Sequence, residues 1–83
     1  MSYSSLRESL DSKNYSNIRN KLISLRKESH LTQRGLAKKL LVTQSYVSKV
    51  ESGQRRLDIL ELNKYLVALN YSTNKLLLEI DVS

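Results

Sequence analysis

The sequence predicts an all-α fold, a five-helix bundle preceded by a loose or short-helical N-terminal arm. Three observations predict it. Apolar residues recur at three- and four-residue steps from Tyr15 onward, good helix-capping residues stand at the breaks between those runs, and 83 residues contain no proline and only two glycines. A chain of this length makes one domain with a modest core. It has no cysteine, so neither a disulfide nor a thiolate-bound zinc can brace it, and pairing with a second copy is the remaining way to bury more surface.

Met1 to Asn14 are polar and Ser-rich and form the arm; within it Ser5 and Glu8 have capping-box spacing, with Leu6 and Leu10 one turn apart, enough for a short helix. The domain proper, 15–83, opens with a helix that aligns Tyr15, Ile18, Leu22 and Leu25 on one face and leaves Arg19, Lys21, Arg26 and Lys27 largely off it. His30 follows, and Thr32 caps a short second helix to about Leu40 with Leu36, Ala37 and Leu40 inward. Thr43 caps the third, roughly Gln44 to Ser52, buried along Val47 and Val50 and stopped by Gly53. Asp58 and Glu61 form a capping box that opens a fourth helix carrying Leu62, Tyr65, Leu66 and Leu69. Ser72 caps a fifth from Thr73 to about Ile80, sealed by Leu76, Leu77 and Ile80. Read instead as a strand, the last six residues alternate strictly, and in either conformation apolar surface is left over. Leu78, Ile80 and Val82 are therefore the expected interface of a two-fold homodimer.

The net charge is +6, but its distribution says more than its sum. Between Arg19 and Arg56 stand ten basic residues and only two acids, Glu28 and Glu51, so this segment carries +8 and the rest of the chain −2. Such asymmetry points the middle of the chain at a polyanion. Catalysis is not expected: one His, no Cys and acids scattered over caps and tails offer no catalytic residues, no metal set and no cofactor site. The longest apolar run, Tyr65 to Leu69, is too short to span a membrane, and no basic start leads into an apolar stretch as a signal peptide requires. A chain free of cysteine fits the cytoplasm.

The second and third helices, joined by Leu41-Val42-Thr43, have the spacing of a helix-turn-helix, with the small Ala37 where the two would cross. Here the chain resembles the phage-repressor/Cro (Xre-type) family. The matching residues are Leu31-Thr32-Gln33, Leu36-Ala37, Leu40, Val42-Thr43-Gln44-Ser45, Val47-Ser48, Val50-Glu51 and Gly53-Gln54-Arg55. Arg55-Arg56-Leu57-Asp58 followed by Glu61-Leu62 looks like a common subgroup, and the likeness runs from about Tyr15 to Leu78.

The resemblance implies a lambda-repressor-like bundle whose third helix enters the major groove of double-stranded DNA. It implies base contacts from Gln44, Ser45 and Lys49, with Tyr46 and Ser48 beside them. The chemistry is sound, since Gln can read adenine, Lys can reach guanine acceptors and Ser can serve either. It implies phosphate contacts from Arg19, Gln33, Ser52 and Arg55, which position the protein without reading sequence; Gln33 also stands where it could brace Gln44. It implies an internal ion pair between Arg26 and Glu51. Lys38, Lys39 and Lys64 have no counterpart role and are expected in solvent. Three residues depart from the pattern: Gly35 replaces the usual Glu of a capping box, at a cost of about 1 kcal/mol, and Leu41 and His30 replace usual glycines. The functional expectation is a cytoplasmic, nucleoid-associated transcriptional regulator of bacterial, phage or plasmid origin, acting as a dimeric repressor on a near-palindromic operator. The alternative is an antitoxin that binds a toxin protein and autoregulates its operator, decided by co-purification of a toxin. An RNA-binding or adaptor role would require that RNA outcompete duplex DNA.

Overall fold

The computed structural model describes residues 13–79. They form five helices and no strand: α1 (Lys13–Glu28), α2 (Gln33–Leu40), α3 (Gln44–Ser52), α4 (Ile59–Ala68) and α5 (Thr73–Glu79). Most of the expected arm, and Ile80 and Val82 of the expected dimer interface, lie outside the described residues.

Each helix after α1 starts where a side chain can take up an orphan amide. Thr32 and Thr43 have extended backbone, and their hydroxyl oxygens accept the N–H of Gly35 at 2.9 Å and of Tyr46 at 3.1 Å. Gly35 thus loses only the return half of the capping box. Asp58 and Glu61 make both halves of theirs, at 2.8 and 3.1 Å, and Ser72 accepts the Lys75 N–H at 3.3 Å.

Four helices end alike. His30 (φ 58°), Leu41 (φ 60°), Gly53 (φ 84°) and Asn70 (φ 57°) all adopt the left-handed conformation. The N–H of the residue after each reaches back five positions, from Leu31 to Arg26, Val42 to Ala37, Gln54 to Lys49 and Tyr71 to Leu66, at 2.9–3.2 Å. The repeated bond explains how non-glycine residues are held there. For Leu41 the conformation costs about 1–2 kcal/mol, and it leaves the side chain 92 % exposed.

One core joins the helices: Leu22 and Leu25 of α1, Leu36 and Ala37 of α2, Val47 and Val50 of α3, Leu62, Tyr65 and Leu66 of α4, then Leu69, and Leu76 of α5. The broadest packing is between α2 and α3. Tyr15 and Ile18 of the expected α1 stripe are only half-buried, and Tyr15 instead accepts the Leu57 N–H on its hydroxyl oxygen at 2.9 Å.

Two expectations about the chain ends change. Lys13 and Asn14, assigned to the arm, are already helical. At the other end, Leu78 and Glu79 belong to α5 rather than to a strand, and Leu76 alone is buried there while Leu77 stays half-exposed. Polar contacts help to dock α5 instead. Lys21 pairs with Glu79 at 3.2 Å, Tyr71 donates its hydroxyl to Glu79, and Thr73 bonds to Asn63 at 2.6 Å.

Candidate nucleic-acid interface

Helix α3 has two faces. Val47 and Val50 are essentially inaccessible, anchoring one side in the core. Gln44, Ser45, Ser48, Lys49 and Ser52 follow one another on the other side and are all exposed. Every group on this outer row can donate or accept a hydrogen bond, and Lys49 adds a positive charge. Beside its first residue lies an open groove of about 500 Å³ lined by Arg26, Thr32, Gln33, Arg34 and Gln44, where the starts of α2 and α3 come together.

What holds α3 at this angle is polar as well as apolar. Arg26 of α1 donates from Nε to Glu51 Oε2 at 2.6 Å and from Nη2 to Glu51 Oε1 at 3.0 Å, while Nη1 reaches the Leu31 carbonyl at 2.8 Å. Their side chains are only 11 % and 8 % exposed. Two parallel bonds fix orientation as well as distance, and the bonds to Glu51 hold the guanidinium still more firmly protonated than usual. Tyr65 of α4 lies in the core with a hydroxyl that has no partner among the described residues, and burial pushes its pKa well up, so it stays neutral.

Not every expected DNA contact stands free. Gln33, in the wall of the groove, donates its amide to Glu51 Oε1, 3.0 Å away, so it braces the ion pair. Tyr46, grouped with the base readers, points away from the outer row. Its hydroxyl donates to Glu61 Oε2 of α4 at 3.1 Å, and burial, as the first cause, raises its pKa. Arg55, expected on a phosphate, gives Nη2 to the same Glu61 oxygen at 2.5 Å and lies over the Tyr46 ring, 4.7 Å from its centre. The physical reason is shared: the face of α3 that carries Tyr46 lies against the start of α4, where Glu61 accepts both donors. Arg19 and Ser52, by contrast, stand at one end of α3. A Cβ at Gly53 would come within 2.6 Å of Arg19 Nη1, so the guanidinium rests on the glycine that ends the helix. Ser52 is exposed and donates to the Lys49 carbonyl at 3.2 Å.

Three residues take places in the structure that the sequence did not assign to them. Arg34 is exposed in the wall of the groove beside Gln44, and the signal for it was its place next to Gln33 in the first turn of α2. Glu61 was recognised as a cap and not as the acceptor for Tyr46 and Arg55; no spacing rule pairs residues on neighbouring helices. Lys39 donates to the Ala68 carbonyl at 3.2 Å and closes the end of α4. No group of three or more His, Cys, Asp or Glu among the described residues is placed to hold a metal, and no described helix is long and apolar enough to cross a membrane.

The arrangement suits a grooved polyanion: a short helix with a polar, hydrogen-bonding outer row, basic groups at its flank, and a rigid inner attachment. Compared with known families, the chain matches the helix-turn-helix model over residues 22–76, from α1 through to Leu76 of α5. No curated protein and no solved structure matches it.

Proposed function

The chain belongs to the helix-turn-helix family of the Xre/Cro type, a family of DNA-binding transcriptional regulators, and from that premise we propose that this protein is a repressor whose α3 reads the major groove of an operator as one half of a homodimer. The observation that carries the proposal is the outer row of α3. Gln44, Ser45, Ser48 and Lys49 are exposed on a helix whose other side is locked by Val47, Val50 and the Arg26–Glu51 pair. Gln44 at the start of the helix reads adenine through its paired donor and acceptor, Lys49 reaches guanine acceptors, and the serines adapt to either. Arg19 and Ser52 touch phosphate at one end of α3 and Arg34 at the other, setting register without reading sequence. The protein works where DNA is, in the cytoplasm of its host.

The dimer rests on α5. Leu78 is 88 % exposed and Leu77 half-exposed, side by side on a seven-residue helix, and burying one leucine fully contributes about 1.5–3 kcal/mol. A two-fold pair through this segment, with Ile80 and Val82 continuing it, puts the two α3 helices on successive turns of one DNA face, roughly 34 Å apart. Selection from a random duplex library tests both claims together. The proposal expects a near-palindromic site with half-sites one helical turn apart; recovery of a single unpaired half-site, with Leu78→Lys sedimenting like the unaltered protein, would reject the dimer, and recovery of no preferred sequence would reject operator reading.

A further inference from the structure

Glu61 performs two tasks at once. Its Oε1 accepts the Asp58 N–H at 3.1 Å as half of a capping box, which fixes the carboxylate on the first turn of α4 whatever else is present. Its Oε2 is thereby aimed back at α3, where it takes the Tyr46 hydroxyl at 3.1 Å and Arg55 Nη2 at 2.5 Å. Arg55 is tied at both ends. Its own N–H bonds to the Lys49 carbonyl at 3.1 Å, at the end of α3, and its guanidinium is pinned against the Tyr46 ring and Glu61. It forms a strap over the α3–α4 loop, beside Ser52 and Gly53 where the phosphate contacts of Arg19 and Ser52 are proposed. The bonds from Asp58 and Arg55 keep Glu61 ionised below the usual carboxylate range, so the negative charge persists at any pH at which the protein would meet DNA.

We propose that Glu61 and Tyr46 are positioning residues that withhold Arg55 from the DNA backbone, lowering sequence-independent binding so that the bases read by α3 weigh more in the choice of site. The inference rests on the DNA-reading proposal above and deepens it. Each phosphate contact by a basic residue adds to affinity on every sequence alike and steepens the fall of log K with log salt by about 0.9. An arginine at the edge of the interface would therefore raise binding to random DNA as much as to the operator. Pairing it with a carboxylate that is already fixed, and covering its face with a tyrosine, cancels that contribution without removing the side chain that straps the loop. Arg55 stays 44 % exposed, so it is within reach of solvent and becomes available once its partner is taken away.

The test is binding to a random-sequence duplex of about 20 base pairs across a salt series, at a temperature well below the melting transition of each variant. Glu61→Gln keeps the shape of the cap and removes the charge; it should tighten binding to random DNA by roughly three- to tenfold near 0.1 M salt and steepen the salt slope by about 0.9. Arg55→Ala alone should change the slope little, yet added to Glu61→Gln it should abolish the whole gain. A gain that survives in the double variant would overturn the proposal, because Glu61 would then merely repel phosphate. Weaker binding by Glu61→Gln would overturn it too, because the pair would then be presenting Arg55 to DNA. Should Glu61→Gln fail to fold, Glu61→Asp, which keeps the charge but falls short of Arg55, should steepen the slope in the same way, and an unchanged slope there counts against the proposal. Gln44→Ala, compared on the selected operator and on the same random duplex, keeps the two claims apart: if it weakens operator binding alone while the Glu61 variants bind random DNA as the parent does, α3 reads DNA and the strap has no part in it.

Discussion

The two sides of α3 differ in what fixes them. On the inner side Val47, Val50 and Glu51 are held by the whole domain: the valines fill the core and Glu51 accepts bonds from Arg26 and Gln33. On the outer side Gln44, Ser45, Ser48 and Lys49 are exposed, and the fold would form equally well with other polar residues there. The contrast separates stability from recognition along nine residues. Substitutions on the inner side should be read out by melting, and substitutions on the outer side by DNA.

The largest expected effect is at Glu51. Glu51→Ala strands the Arg26 guanidinium at low exposure and removes the acceptor for Gln33, so it should cost about 3 kcal/mol. For a domain of this size that lowers the Tm by more than about 10 °C. A melt unchanged within error would show that α3 is not fixed from within. Second come the left-handed residues that end α2 and α3. Gly53→Ala places a Cβ on a left-handed residue and against Arg19, and should cost about 1 kcal/mol while shifting the arginine. Leu41 shares the conformation but points into open solvent, so Leu41→Gly should do the reverse and raise stability by up to about 1 kcal/mol; a lower Tm would mean that the leucine has a contact the fold needs. The smallest effect belongs to the outer row, where Lys49→Ala should alter stability by less than about 0.5 kcal/mol. A drop comparable with that of Glu51→Ala would erase the contrast between the faces.

Much of this was legible in the residues. The capping threonines, the Asp58–Glu61 box and the apolar spacings locate α2 to α5 to within a residue or so, because cap and periodicity are local properties of the chain. The burial of Val47 and Val50 followed from the same spacing. The resemblance to the family added the Arg26 and Glu51 partnership, which local chemistry alone does not supply across 25 residues of sequence separation. What escaped was set by packing between helices. The direction of Tyr46 depends on the approach of α4, and once it faces Glu61 it draws in Arg55. Leu77 counted as a sealing residue on a helical wheel, but α5 is short and meets the core through Leu76, with Tyr71, Lys21 and Glu79 completing the contact. The resemblance placed Leu41 and His30 where glycines are usual, but nothing singled out Asn70, and what holds all three was hidden: backbone bonds that reach back five residues keep non-glycine residues in a left-handed conformation.

The central claim is that Gln44 reads a base from a helix the rest of the domain holds still. It is tested most directly by measuring Gln44→Ala and the unaltered protein on the selected operator, on the operator changed at one base pair at a time, and on random duplex, with the melt recorded alongside. The account predicts an unchanged melt, a loss of about 1–3 kcal/mol on the operator, indifference to the base at one position of each half-site, and no change on random DNA. Equal losses on operator and random DNA, or undiminished discrimination at every position, would contradict it.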